Sequence, residues 1–254
     1  MFKENKEFWL YSVGIIVMLI ATYFLVMGYQ FPFVGFLTDQ KAKEYKYNSQ
    51  PAYFLQSDKD YRAIIRTNRG DFEIDLYERS APKTVNNFVF LADEGYYDGV
   101  SFHRLIRDFL VQTGSRMTLD NDPDNDAIDD PGYFFEDEIN WDSLGLSSAK
   151  RDELQRAGYS NDQGIQSRRL EKYSVAMANA GPDTNGSQFF IILADNSDSR
   201  LDVLQGRHTV FGTVVSGFQV LDTINQAQIE QEQNDAISRP LGDYYIKEII
   251  IRVI

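Results

Sequence analysis

Residues Phe8 to Phe31 read FWLYSVGIIVMLIATYFLVMGYQF, a run of 24 with no charged side chain. In hydrocarbon no water satisfies a backbone N–H or C=O, so a single segment of this kind has to be a helix. At 1.5 Å per residue, 24 residues cross a hydrocarbon core of roughly 30 Å with some tilt. Trp9, Tyr11, Tyr23 and Tyr29 lie near its ends, where interfacial aromatics concentrate. A cleaved signal peptide is the rival reading. The run is longer than the usual h-region of about 7–15 residues, and no A-x-A site succeeds it. The expectation is an uncleaved single-pass anchor within residues 1–31. Lys3 and Lys6 precede it, and Lys41, Lys43 and Lys46 come after it, so the charge balance does not fix orientation. The short N-terminal tail favours its own retention inside and export of the chain beyond the anchor. Thr38 to Asp60 is polar, so residues 32–60 read as a tether, leaving 61–254 as the folded domain.

The rest of the chain is acidic. Over the full length, 25 Lys and Arg against 38 Asp and Glu give a net charge of −13, which argues against a nucleic-acid binder, since that needs a basic face for the phosphates. There is no cysteine, so neither a disulfide, a thiolate nucleophile nor a Cys metal site is available. With two histidines, His103 and His208, a multi-His metal site is nearly excluded.

Within 61–254 the pattern is of many short strands. Tyr61–Thr67 and Phe72–Tyr77 alternate around Asn68-Arg69-Gly70, as a β-hairpin does. Ser80 and Pro82 mark a helix start, Val85, Phe88, Leu91 and Ala92 give its apolar stripe, and Gly95 ends it. Phe102–Ile106, Phe109–Thr113, Tyr173–Ala178, Phe189–Leu193, Thr209–Val215 and Tyr244–Val253 read as strands. A second helix begins after Gly217. The pattern predicts a mainly β fold, an antiparallel barrel with helices over its ends.

One segment is out of proportion. Met117 to Ala149 carries ten acidic residues and no Lys or Arg. Its Asp120–Asp126 portion fails the EF-hand pattern, with Asn125 where Gly is needed and Pro131 where Glu is needed. It reads as a solvated acidic loop, dispensable over Leu119–Asp130, inside an insertion at about 117–172. Ser147 and Ser148 can cap a short helix, Ala149–Ala157, stopped by Gly158.

No G-x-S-x-G elbow and no P-loop is present. Two dense strings stand out instead: FHRLIRDFLVQTG from Phe102 to Gly114, and MANAGPDTNGSQFFI from Met177 to Ile191. A third, GRHTVFG, runs from Gly206 to Gly212. These strings resemble the motifs of the cyclophilins, the cyclosporin-binding family of peptidyl-prolyl cis–trans isomerases. The resemblance extends over about Tyr61 to Ile254. It implies a closed eight-stranded antiparallel barrel capped by two helices, here preceded by one transmembrane helix.

The resemblance also implies roles for residues. Arg104 matches the family's catalytic arginine. Phe109, Leu110, Gln112, Ala178, Asn179, Gln188, Phe190 and His208 match its peptide-binding positions. Leu110 stands where Met is usual, a swap that conserves volume. The family's W-L-D-G-K-H becomes RLDVLQGRH, from Arg200 to His208, longer by three and without the Trp. Leu201 is taken for the pocket position because Asp202 comes next, with Leu204 as the other register. In the family that Trp lies on the drug-contacting rim, so its loss bears on cyclosporin binding more than on catalysis. No cofactor and no metal is implied. His103 is read as structural.

The chemistry is consistent with these residue types. Resonance gives the peptide C–N bond a rotational barrier of roughly 18–20 kcal/mol. Twisting it makes the prolyl nitrogen pyramidal and basic, so a guanidinium donating there stabilises mainly the transition state. Phe109, Leu110, Phe190 and Leu201 would hold the proline ring, and Gln112 and the Asn179 backbone the substrate chain. The expected protein is a membrane-tethered isomerase acting on proline-containing segments of exported or membrane proteins, from a bacterium. The rival is a non-catalytic peptide-binding chaperone on the same fold.

Overall fold

The computed structural model describes residues 45–254 apart from 121, 128 and 232–237. The expected anchor at 1–31, and the tether up to residue 44, lie outside the described residues. Among the described residues no helix is long and apolar enough to cross a membrane. Lys46–Ile254 forms one compact unit.

In chain order the elements are β1 (Tyr61–Thr67), β2 (Gly70–Leu76), α1 (Pro82–Asp93), β3 (Arg104–Ile106), β4 (Leu110–Thr113), α2 (Ser148–Arg156), β5 (Ser174–Met177), β6 (Phe189–Ile192), α3 (Arg200–Leu204), β7 (Val210–Ser216), α4 (Phe218–Asn225), β8 (Ile229–Gln231), β9 (Ser238–Pro240) and β10 (Ile246–Val253). Among the described residues, eight strands form one sheet in the order β10-β1-β2-β7-β5-β6-β4-β3, and β8 pairs with β9 in a separate ribbon. Each of these strand pairings is antiparallel.

The strands arise from two kinds of sequence. β1 and β2 alternate, burying Ala63, Ile65, Phe72, Ile74 and Leu76 on one face. β5 and β6 do not alternate, because both faces of both strands are buried. On one face of β6, the Phe189 ring meets Phe88 of α1, Tyr97 and Phe211 edge-on or nearly so, at 5.5 to 6.2 Å between centroids. On the other, Phe190 and Ile192 join a second apolar cluster that includes Leu110, Ala176 and Val210.

The barrel is not closed, contrary to the expectation. The sheet is curled, and β10 and β3 are its two edges, sharing no ladder. Strand β3 is only three residues long, since Phe102 and His103 lie outside it. The seam is held by the irregular stretch before β3. Gly99 N donates to Ile246 O at 2.8 Å, Ile246 N to Val100 O at 2.9 Å, and Phe102 N to Tyr244 O at 2.8 Å. These bonds satisfy the edge without a regular strand pair.

Helix α1 also differs from the sequence reading. Its N-cap is Ala81, with no side-chain cap; Ser80 does not fill that role. The open N–H groups of its first turn are met from far along the chain. The Glu138 carboxylate accepts from Lys83 N at 2.9 Å, Thr84 N at 2.8 Å and Thr84 Oγ1 at 2.8 Å. A carboxylate there also suits the positive end of the helix dipole.

The acidic segment is therefore not simply solvated. Asp126, Asp129, Asp137 and Glu138 are buried. Ile139, Trp141, Leu144, Leu146, Leu154 and Tyr159 form a small core of their own beside the main one. Only the stretch around Asp120–Asp124 behaves as expected, its carboxylates accepting from their own backbone: Asp120 from Asp122 N, Asp122 from Asp124 N. Helix α2 is capped by Ser147, which accepts from Lys150 N at 3.3 Å, as its sequence indicates.

Candidate active site

Antiparallel register places three of the candidate site residues, Arg104, Gln112 and Phe190, in one row. Arg104 on β3 faces Gln112 on β4, Gln112 faces Phe190 on β6, Phe190 faces Ala176 on β5, and Ala176 faces Val210 on β7. Residues two apart share that face, so Leu110 and Ile192 extend it. A cation, an amide and an apolar floor thus lie side by side, although each comes from a different strand.

The floor is continuous. Phe109, Leu110, Ala176, Phe190, Leu201 and Val210 are buried together, with Ala178 and Leu204 partly buried against them. Both rival leucines of the RLDVLQGRH segment therefore touch the same cluster, Leu201 from within and Leu204 from its margin. Arg200, at the place where the resembled motif has Trp, sets its guanidinium 4.3 Å over the ring of Phe109. It is held there by Asp198, through Nη2 at 2.6 Å and Nε at 3.0 Å, and by donation to Asp108 O at 3.1 Å. Sequence reasoning did not single out Arg200; its motif position was the available signal.

A directed chain of hydrogen bonds runs from Arg104. Its Nη1 donates to Gln112 Oε1 at 3.2 Å, Gln112 Nε2 donates to Gln188 Oε1 at 2.9 Å, and Gln188 Nε2 donates to Asp129 O at 3.0 Å and Ala127 O at 3.1 Å. The order is self-consistent. A guanidinium has no acceptor, so Gln112 must turn its oxygen to it, which fixes the next amide in turn. Leu119–Asp130 is thus no free excursion, because Gln188 depends on its carbonyls.

Gln112 and Gln188 also line an open cleft of about 190 Å³, with Ala178, Asn179, Ala180 and Phe134 around it. The Asn179 side chain is engaged in the wall, donating to Arg207 O at 2.8 Å and Asp137 Oδ1 at 3.4 Å. Asp137 in turn accepts from Asn185 Nδ2 at 2.8 Å and Asp183 N at 3.0 Å. Where the chain enters this region, Gly114 sits at φ +97°, and a Cβ on it would lie 2.6 Å from Ser187 O. Only glycine fits that crossing.

Both histidines are held neutral. His208 sets its ring edge-on to Phe190 at 5.1 Å and its Nδ1 3.0 Å from Met177 O. Burial lowers its pKa from 6.5 to about 4, with Arg207 and Arg104 adding to the effect. His103 is buried beside Ser101 and Gln188, and burial likewise lowers it to about 4. Neither ring titrates between about pH 6 and 9, so neither gives or takes a proton in that range. The expected profile of kcat/KM is flat from about pH 6 to 9. Folding stability behaves otherwise. An unfolded histidine binds a proton near pH 6.5 and the folded ones only near 4, so stability is full above 6.5 and is lost as pH falls toward 4. Burial raises the carboxyls of Asp137 and Glu138, which works in the opposite sense near the acid end. Chemical denaturation at about pH 7 and about pH 5 checks the sign. A bell-shaped rate profile centred near neutrality would overturn the assignment of both rings as neutral bystanders.

The family model for the cyclophilin type peptidyl-prolyl cis-trans isomerases matches residues 62–249. A peptidyl-prolyl cis-trans isomerase of Arabidopsis thaliana is 36% identical over 72% of this chain and 88% of its own length. Peptidyl-prolyl cis-trans isomerase B of Streptomyces anulatus is 34% identical over 74% of this chain and 95% of its own. Some similar relatives are much longer: the match covers 24% of an isomerase from Rhizopus delemar. Among solved structures, a cyclophilin type isomerase of Cryptosporidium parvum superposes with a TM-score of 0.56 at 26% identity, covering 76% of this chain and 98% of that one. With Arg104, Gln112 and Phe190 of the motif strings side by side on a curled eight-stranded sheet, and the family model spanning most of the chain, this protein belongs to the cyclophilin family of peptidyl-prolyl cis–trans isomerases.

Proposed function

We propose that Arg104 is the catalytic residue of the isomerase and that the floor of Phe109, Leu110, Phe190 and Leu201 receives the proline ring. The observation carrying this reading is the cross-strand row in which the Arg104 guanidinium, fixed on Gln112, adjoins that floor. The site needs no nucleophile. A proline ring in the apolar floor leaves its nitrogen and the preceding carbonyl toward the guanidinium. As the C–N bond twists, resonance is lost and the nitrogen lone pair localises. A donor in place at that moment lowers the barrier without moving a proton. Gln112, and the Ala178–Ala180 backbone along the cleft, hold the flanking chain in register. His208 packs the floor and takes no part in proton transfer. A protease-coupled assay on a proline peptide, with wild type and Arg104→Ala, distinguishes turnover from peptide binding alone.

The finer reading places the enzyme in a bacterial cell membrane, as a single-pass protein with its domain outside the cytoplasm, acting on exported or membrane proteins. The uncharged run Phe8–Phe31 supports this. The full chain is expected to stay in the membrane fraction after carbonate washing, since removing such a helix from hydrocarbon is prohibitive. Protease added to intact cells or spheroplasts should digest the domain. Protection until lysis would reverse the orientation, and release of a soluble domain starting near the end of the run would make it a signal peptide.

A further inference from the structure

The chain before β1 is not idle. Lys46 Nζ pairs with Asp129 Oδ1 at 3.2 Å and with Asp130 Oδ1 at 3.6 Å, and also donates to Asp130 O. Tyr47 N donates to Pro131 O at 2.7 Å, and the Tyr47 ring meets Phe90 of α1 edge-on at 5.1 Å. The approach is close: Gly132 has φ +99°, and a Cβ there would lie 2.2 Å from Tyr47 O. Further on, Ala52 O accepts from Asn86 Nδ2 at 3.2 Å, Phe54 N donates to Asn86 Oδ1 at 2.9 Å, and Gln56 N to Tyr61 Oη at 2.8 Å. Residues 46–56 are thus a strap laid from the insertion loop across α1.

The strap ends on the residue that anchors the site. The Asp129 carboxylate is 2% exposed and also accepts from Tyr96 Oη at 3.0 Å and Arg116 N at 2.6 Å. A buried carboxylate stays put only while its partners do. Its own carbonyl is one of the two acceptors that orient Gln188, and Gln188 orients Gln112, which holds Arg104. Lys46 lies outside the family-matched residues 62–249, so this connection is made by chain beyond the shared domain.

We infer that Lys46 is a positioning residue for the isomerase, its ion pair with Asp129 fixing the loop that aligns Gln188, Gln112 and Arg104. The inference rests on Arg104 as the catalytic residue. Its expected consequence is on kcat: a guanidinium free to wander spends less time where the transition state needs it. The experiment uses the full chain with Lys46→Met, Lys46→Arg, Gln188→Ala and Arg104→Ala, assayed on one proline peptide below the melting range. Lys46→Met should lower kcat about three- to tenfold with KM little changed, and Lys46→Arg should restore most of it. In a Gln188→Ala background the Lys46→Met loss should largely vanish, because the relay is already cut. Unchanged kcat in Lys46→Met, a change in KM alone, or the same fractional loss in the Gln188→Ala background overturns the inference. If Arg104→Ala remains active, the failure lies instead with the reading of the site.

Discussion

Arg104→Ala is expected to lower kcat/KM for proline isomerisation by about two orders of magnitude, roughly 3 kcal/mol of transition-state stabilisation. The loss should fall on kcat, because the guanidinium gains most from the prolyl nitrogen only when the bond is twisted. The fold should survive. Arg104 sits on the short edge strand β3, is half-buried, and donates through Nη1 to Gln112 at 3.2 Å. Arg104→Lys should recover little: an ammonium keeps the charge but not the planar fork that reaches Gln112 and the substrate together. A protease-coupled assay with matched thermal melts reads both quantities. Wild-type turnover in Arg104→Ala would sink the mechanism.

A comparable energy, in stability and not in rate, is expected for Glu138→Ala. The carboxylate is buried and accepts three bonds from the first turn of α1, two of them from backbone N–H groups that no local side chain caps. Removing it leaves the Thr84 N–H and hydroxyl buried without their acceptor, at about 1–3 kcal/mol each where water does not enter, while the part-buried Lys83 N–H can turn to water. A net loss of about 3 kcal/mol is expected, measured as a lower denaturant midpoint with the slope unchanged. Glu138→Gln should cost less. Burial pushes this carboxyl up despite the hydrogen bonds that pull it down, so the neutral form is the less penalised one in the fold. An unchanged midpoint in Glu138→Ala would mean that water caps α1 instead.

The two variants separate what was legible in the sequence from what was not. The strings Phe102–Gly114 and Met177–Ile191 give the family, and with it the row from Arg104 to Phe190, because turn glycines, apolar alternation and a buried amide are local requirements that recur at fixed spacing. Gly114 is an example: the crossing at Ser187 admits no Cβ, so the residue is dictated by the fold. Hairpin β1–β2, helix α2 with its Ser147 cap and helix α4 after Gly217 are likewise local, and their residues announce them. The family's apolar floor is visible for the same reason, although Arg200 over Phe109 is not. Nothing in an arginine's neighbours along the chain says which ring it will cover.

What the sequence alone determined was thus which residues make up the cross-strand row from Arg104 to Phe190 and the run of short strands that assembles it. The open seam of the sheet, the cap of α1 and the setting of Arg104 were decided only in three dimensions. Strand β3 stops short of a ladder because the residues before it bond to Tyr244–Ile246 irregularly, a pairing between distant ends of the domain that no local pattern encodes. Ser80 looks like a cap, yet Glu138 fills that place from inside an acidic segment whose composition reads as solvent-facing. Burying that carboxylate is tolerable only because the helix supplies donors for it, and those donors exist only once the helix and the insertion have docked. Asp129 obeys the same logic, with Lys46, Tyr96 and Arg116 converging on it from three separate stretches of chain. Charge along a sequence indicates a wet surface by default; a buried charge is decided by partners, and partners are brought together by tertiary packing.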